Sequence, residues 1–152
     1  AHTSASPGKT VCINHFLINN KWYIVDMPGY GYAKLGKKQR EALSKMNNQY
    51  LSQSNELANL FVLIDSRHSL QDIDLEFLKS IGNAQIPFSI VFTKADKLGT
   101  NALKENIENL KRDILEYWEE MPPYFITSSA KDIGREEIVK YIHKVLQLIE
   151  RK

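Results

Sequence analysis

The sequence predicts an α/β fold: a largely parallel sheet flanked by helices on both faces, to which an opening hairpin adds one antiparallel strand. Three observations lead there. Apolar runs of strand length alternate with segments whose apolar residues recur at helical spacing. The run Leu60-Phe61-Val62-Leu63-Ile64 is apolar throughout, as a strand covered on both faces is. Asn19-Asn20 stands between two strand-like stretches and can take the positive φ angles of a tight turn.

The hairpin is expected from residues 11–18, VCINHFLI, returning through Trp22-Tyr23-Ile24-Val25. Beyond a Gly/Pro-rich loop, Leu43, Met46, Tyr50 and Leu51 mark a first helix, followed by the Leu60 to Ile64 strand. A second helix around Leu75, Leu78 and Ile81 ends near Gly82, and a strand over residues 88–92 follows. Residues 101–118 read as a long helix and residues 124–126 as a short strand. Ile138, Val139, Ile142, Val145, Leu146 and Ile149 should line one face of a closing helix. No repeat, low-complexity segment or linker interrupts the chain, so residues 1–152 are expected to form one domain.

Of the 152 residues, 43% are hydrophobic and 25% charged, the balance of a globular domain with a core. A net charge of +2 is too small to imply nucleic acid, and no DNA partner is expected. Cys12 is the single cysteine, which excludes an internal disulfide and fits a reducing, cytoplasmic setting. No apolar run approaches a membrane span, and AHTSASPGKT has no apolar signal region. His2, His15 and His143 are scattered and propose no metal site.

Four motifs carry chemistry. Asp26-Met27-Pro28-Gly29 follows the strand WYIV and matches DxxG. An Asp at a strand end can hold a water on Mg²⁺, and Gly lets a backbone N–H approach a γ-phosphate. Taken alone, DxPG is also a common turn. Thr93-Lys94-Ala95-Asp96 matches [NT]KxD. Its carboxylate can accept from guanine N1–H and the exocyclic amine, a donor pair adenine lacks, while the Lys stem lies along the base.

Thr127-Ser128-Ser129-Ala130-Lys131 follows the last strand, where a backbone N–H would meet guanine O6 and Ser hydroxyls would brace the Asp96 loop. Each motif is weak by itself; three in order, each after a strand, converge on the rim where such sheets bind ligands. Gly8-Lys9-Thr10 has the letters of a phosphate-loop tail but not its context. A glycine is needed where Thr3 stands, with a strand before and a helix after. It reads better as a first switch segment, with the Thr10 hydroxyl as a second Mg²⁺ ligand beside Asp26.

SPGKT before a hairpin, then VDMPGYGYAK, IDSRH, FTKAD and TSSAK, resembles the EngB (YihA/YsxC) family of bacterial GTPases over essentially the whole chain. The resemblance implies a Ras-like P-loop GTPase fold, GTP and GDP as ligands, and Mg²⁺ as cofactor. It also implies a role in assembling the large ribosomal subunit, with its rRNA and proteins as partners, and a link to septation in cell division. Members begin with a strand, a GxxxxGK[ST] loop and a helix, so the chain is expected to be an incomplete G domain that binds GTP poorly by itself.

Tyr30 stands where Ras-type enzymes place a water-orienting Gln, which predicts slow intrinsic turnover; packing of Tyr30 and Tyr32 against the sheet is the other reading. Lys34, Lys37, Lys38 and Arg40 could meet ribosomal RNA or form a solvated helix start. Arg67 and His68 fall on the ligand rim without a catalytic role. The competing function is a non-hydrolysing guanine-binding or ribosome-docking module.

Overall fold

The structure is a computed structural model and describes residues 12–30 and 36–151. The chain divides into two compact units between Asn55 and Glu56.

In the first unit, β1 (Asn14–Ile18) and β2 (Trp22–Asp26) pair antiparallel, from Asn14 opposite Asp26 to Ile18 opposite Trp22. Asn19 and Asn20 have φ of 51° and 56°, and Lys21 N–H donates to the Ile18 carbonyl at 3.0 Å. Two successive positive φ angles make the turn whose twist matches the strands it joins. Among the described residues the strand begins at Asn14, opposite Asp26 where β2 ends, and Cys12 and Ile13 stand outside it; residue 11 lies outside the described residues. The helix α1 (Lys37–Gln53) turns Asn47 and Leu51 inward, with Leu43, Met46 and Tyr50 half-buried. The Tyr50 and His15 rings meet edge-on at 5.8 Å, which seats α1 on the hairpin.

The second unit runs β3 (Leu60–Asp65), α2 (Asp72–Asn83), β4 (Phe88–Thr93), α3 (Thr100–Leu115), β5 (Tyr124–Ile126) and α4 (Arg135–Glu150). Its three strands are parallel in the order β3-β4-β5. Central β4 buries Ser89, Ile90, Val91 and Phe92 in succession, as a strand covered on both faces does. The register aligns Val62, Ile90 and Tyr124 on one face and Phe61, Ser89 on the other. On the first face Lys111 of α3 lies over Tyr124, Trp118 meets Phe88, and Gly82 of α2 lies against Trp118. On the second, Tyr141 of α4 contacts Phe61 and Phe125. Helices therefore flank both faces of a parallel sheet.

Three expectations need correction. Leu63 is 65% exposed, so β3 is not covered on both faces along its length: Tyr141 covers Phe61, and Leu63 lies one pleat farther on. The helix α3 stops at Leu115, and Trp118 turns to meet Phe88 instead of extending it. Nothing on α4 is fully buried; Ile138, Ile142, Val145 and Leu146 are half-covered, whereas Val139 and Ile149 are exposed. Val139 sits about 100° round the helix from Ile138, outside the stripe that faces the sheet.

Candidate functional site

The carboxyl ends of parallel strands share one rim. In the second unit β3 ends at Asp65, β4 at Thr93 and β5 at Ile126, with Asp65 opposite Thr93 and Phe92 opposite Ile126. Backbone bonds continue past the strands and knit the loops together. Ser66 N–H donates to the Thr93 carbonyl at 3.0 Å, and Thr127 N–H to the Phe92 carbonyl at 2.8 Å. The Thr93 hydroxyl lies 3.5 Å from the Ile64 carbonyl.

The chain turns sharply at Lys94, whose φ of 60° is left-handed, into a 3₁₀ turn over Ala95–Lys97. Ala95 is buried, and its N–H donates to the Thr127 carbonyl at 2.9 Å. The turn leaves Asp96 at the rim, where the buried Ser128 hydroxyl donates to its Oδ1 at 2.6 Å. That hydrogen bond, helped by the nearby Lys97 and Lys131 charges and opposed by desolvation, holds the Asp96 carboxyl below the usual carboxylate range. Oδ2 faces Lys97 Nζ at 3.9 Å, beyond hydrogen-bonding distance. An ionised, braced carboxylate of this kind can accept from two neighbouring N–H donors.

Two features shape the Thr127 to Lys131 loop. Ser128 and Ile133 exchange backbone hydrogen bonds of 3.1 and 2.9 Å, and Lys131 N–H donates to the Ser128 hydroxyl at 3.1 Å. Gly134, at φ 87°, closes the loop so tightly that a Cβ would stand 2.5 Å from the Ile126 carbonyl oxygen. Ser129 and Ala130 are exposed at the rim.

Two residues to which the sequence reading gave no role, Asp65 and Asn106, support this rim. Asp65 accepts from Arg67 twice through Oδ1, from N–H and Nε at 3.0 Å each, and through Oδ2 from Nη2 at 2.8 Å. Lys94 Nζ stands 3.4 Å from the same Oδ2. The Arg67 side-chain bonds come first in holding the Asp65 carboxyl well below the usual range, against the desolvation that opposes them. Asn106 of α3 donates to the Ser66 and His68 carbonyls, tying that turn to the helix. A signal for Asp65 was present: it closes an apolar strand just as Asp26 and Thr93 do.

In the first unit, Asp26 closes β2, Pro28 is buried, Gly29 is exposed and Met27 and Tyr30 are half-buried. Asn47 of α1, 5% exposed, donates through Nδ2 to the Pro28 carbonyl at 2.8 Å. It is the polar member of an otherwise apolar helix face, which marks it in the sequence. Gly8, Lys9 and Thr10 lie outside the described residues, as do Tyr32 and Lys34. Among the described residues no group of three or more His, Cys, Asp or Glu converges to hold a metal. The Asp26 carboxylate is the hard oxygen donor that suits Mg²⁺.

Residues 1–94 match the family model described as 50S ribosome-binding GTPase. The chain is 55% identical over its whole length to a Porphyromonas gingivalis protein named "Probable GTP-binding protein EngB", covering 76% of that protein. A Bacteroides fragilis protein of the same name is 52% identical over 152 residues, again with 76% of its length covered. Among solved structures, translation elongation factor SelB from Methanococcus maripaludis in its apo form aligns at a TM-score of 0.66 and 18% identity. That alignment covers 93% of this chain and 29% of the SelB chain, and it bears on the fold alone.

Proposed function

Because the chain belongs to the EngB family of GTP-binding proteins, we propose that it comes from a GTP-hydrolysing switch protein acting in large ribosomal subunit assembly. The observation that carries the guanine reading is the Ser128 hydroxyl on Asp96, at a rim where the Ala95 N–H already bonds the Thr127 carbonyl. Under this reading Asp96 accepts from guanine N1–H and the amine, and the Lys94 stem lies along the ring. Thr93 ties its loop to β3, and the exposed Ser129 and Ala130 backbone faces O6. The family model's description, which names the 50S particle, supports the ribosomal partner. The link to septation and the cytoplasmic setting belong to the same proposal, and among the described residues no helix is long and apolar enough to cross a membrane.

On the phosphate side, Gly8, Lys9, Met27, Pro28 and Gly29 would surround the γ-phosphate. Asp26 and Thr10 would hold Mg²⁺, which supplies charge neutralisation on the transferring phosphoryl group. Tyr30 offers a single hydroxyl where an amide would present a paired donor and acceptor, so turnover without a partner should be slow. Lys37, Lys38 and Arg40 are exposed at the start of α1 and suit contact with ribosomal RNA.

The pattern GxxxxGK[ST] occurs nowhere in the 152 residues, which favours a second reading for the chain by itself: a guanine-binding module with weak phosphate contacts. Calorimetric titration with GDP and GTP, with and without Mg²⁺, on this chain and on the full-length P. gingivalis relative separates the two. Tight, Mg²⁺-dependent binding by the longer protein and weak binding by this chain are expected. Binding of neither nucleotide by either protein would sink the guanine reading. Charge reversal at Lys37 and Lys38 that left 50S association unchanged would remove the RNA contact.

A further inference from the structure

We infer that Asn47 is a positioning residue that aims the Gly29 N–H, and so couples the state of the DMPG loop to α1. This deepens the proposed γ-phosphate role of that loop and rests on it.

The geometry starts from the peptide bond. Pro28 C=O and Gly29 N–H belong to one planar trans unit and point in opposite directions. Asn47 Nδ2 donates to that carbonyl at 2.8 Å across 19 residues of chain. Pro28 is buried on the α1 side, and Gly29 is exposed. Holding the carbonyl toward α1 therefore turns the Gly29 N–H outward, toward solvent. A proline has no N–H of its own, so within this dipeptide Gly29 is the residue whose amide can meet a phosphate oxygen.

The other half of the same side chain is the second observation. Asn47 Oδ1 is buried and has no hydrogen-bond partner among the described residues. The amide orientation is fixed by its bond, since exchanging Oδ1 and Nδ2 would set two acceptors against each other. A contact that only stabilised the fold would satisfy both halves of the amide, or replace it with a leucine like its neighbours on this face. Instead α1 carries an Asn whose donor holds the loop and whose acceptor is left open, a buried polar atom that packing alone does not account for.

The test replaces Asn47→Leu, near-isosteric and apolar, and Asn47→Asp, isosteric without the donor, in this chain. Amide ¹⁵N relaxation reads the loop: Gly29 should fall from an order parameter of about 0.85 toward about 0.6 in both variants, without nucleotide. Fluorescence titration compares GDP with guanylyl imidodiphosphate. The ratio of analogue to GDP affinity should drop about fivefold in Asn47→Leu, the effect of one hydrogen bond, while its thermal midpoint changes little, because the orphaned Oδ1 is removed as the Pro28 carbonyl loses its donor. An unchanged Gly29 order parameter overturns the inference, as does an equal loss of both ligands together with stability. Wild type that bound the analogue no differently from GDP, with or without Mg²⁺, would instead overturn the phosphate reading of DMPG, and the coupling with it, whatever the loop order shows.

Discussion

Under the proposed guanine reading, the Asp96 carboxylate must stay ionised, stay in place and still have lone pairs to offer. Ser128 meets the first two demands with a single hydrogen bond to Oδ1. Because the Asp96 pKa is lowered on folding, its contribution to stability is complete above the unfolded value of about 3.9 and is lost as pH falls toward the folded value. Ser128→Ala should weaken GDP binding by about tenfold, the scale of one hydrogen bond to a charged group, and move its acid loss to higher pH. An unchanged pH profile in fluorescence titration would count against the bracing. Asp96→Asn should cost GDP about 100-fold and favour xanthosine diphosphate, whose carbonyl at C2 accepts from an amide. Retained guanine preference in competition binding would refute the assignment.

Asp65 is a second residue whose charge matters. Its carboxyl is lowered chiefly by the Arg67 side chain, so the same sign holds: the stabilisation persists above about 3.9 and shrinks below it. Arg67 is itself 37% exposed, which screens the pair. Asp65→Asn should therefore cost only about 1 kcal/mol in urea unfolding at pH 7, with the gap to wild type narrowing in acid. A gap independent of pH would show that packing, not charge, is what the substitution removes.

Elements set these residues in place through a few backbone decisions. The hairpin register follows from Asn19-Asn20, both left-handed. The loop after β5 depends on Gly134, where a Cβ would collide with the Ile126 carbonyl at a φ few side chains adopt. Gly134→Ala should cost about 2 kcal/mol or more and lower guanine affinity by shifting Ser128. Wild-type denaturation midpoint and GDP affinity together would show that the loop absorbs the change. Element types and order were legible because periodicity reports which faces are buried. Ends were less so, since β1 stops where its partner does and α3 where Trp118 turns back onto Phe88.

For the molecule as a whole, the residues proposed to read the base lie in the unit from Glu56 to Lys152, and DMPG stands in the unit from Ala1 to Asn55. A ligand that binds only the folded protein stabilises it by mass action. GDP at 100 times its dissociation constant should raise unfolding free energy by about 2.7 kcal/mol. No shift in the melting temperature at that excess would contradict binding to the native state.

The amino-acid sequence by itself determined the alternation of strands and helices, the family, and the motif residues from Asp26 to Ala130, because these depend on local patterns and on order along the chain. Only the tertiary structure decided which side chains hold the motifs in shape. Ser128 meets Asp96 across 32 residues, Asn106 meets Ser66 across 40, and Asn47 meets Pro28 across 19. Such partners are brought together by the packing of β4 against β5 and of helices against their sheets, so no window of sequence contains both. Leu63 and Val139 make the same point: their apolarity is visible in the letters, but whether anything covers them is a property of the folded chain.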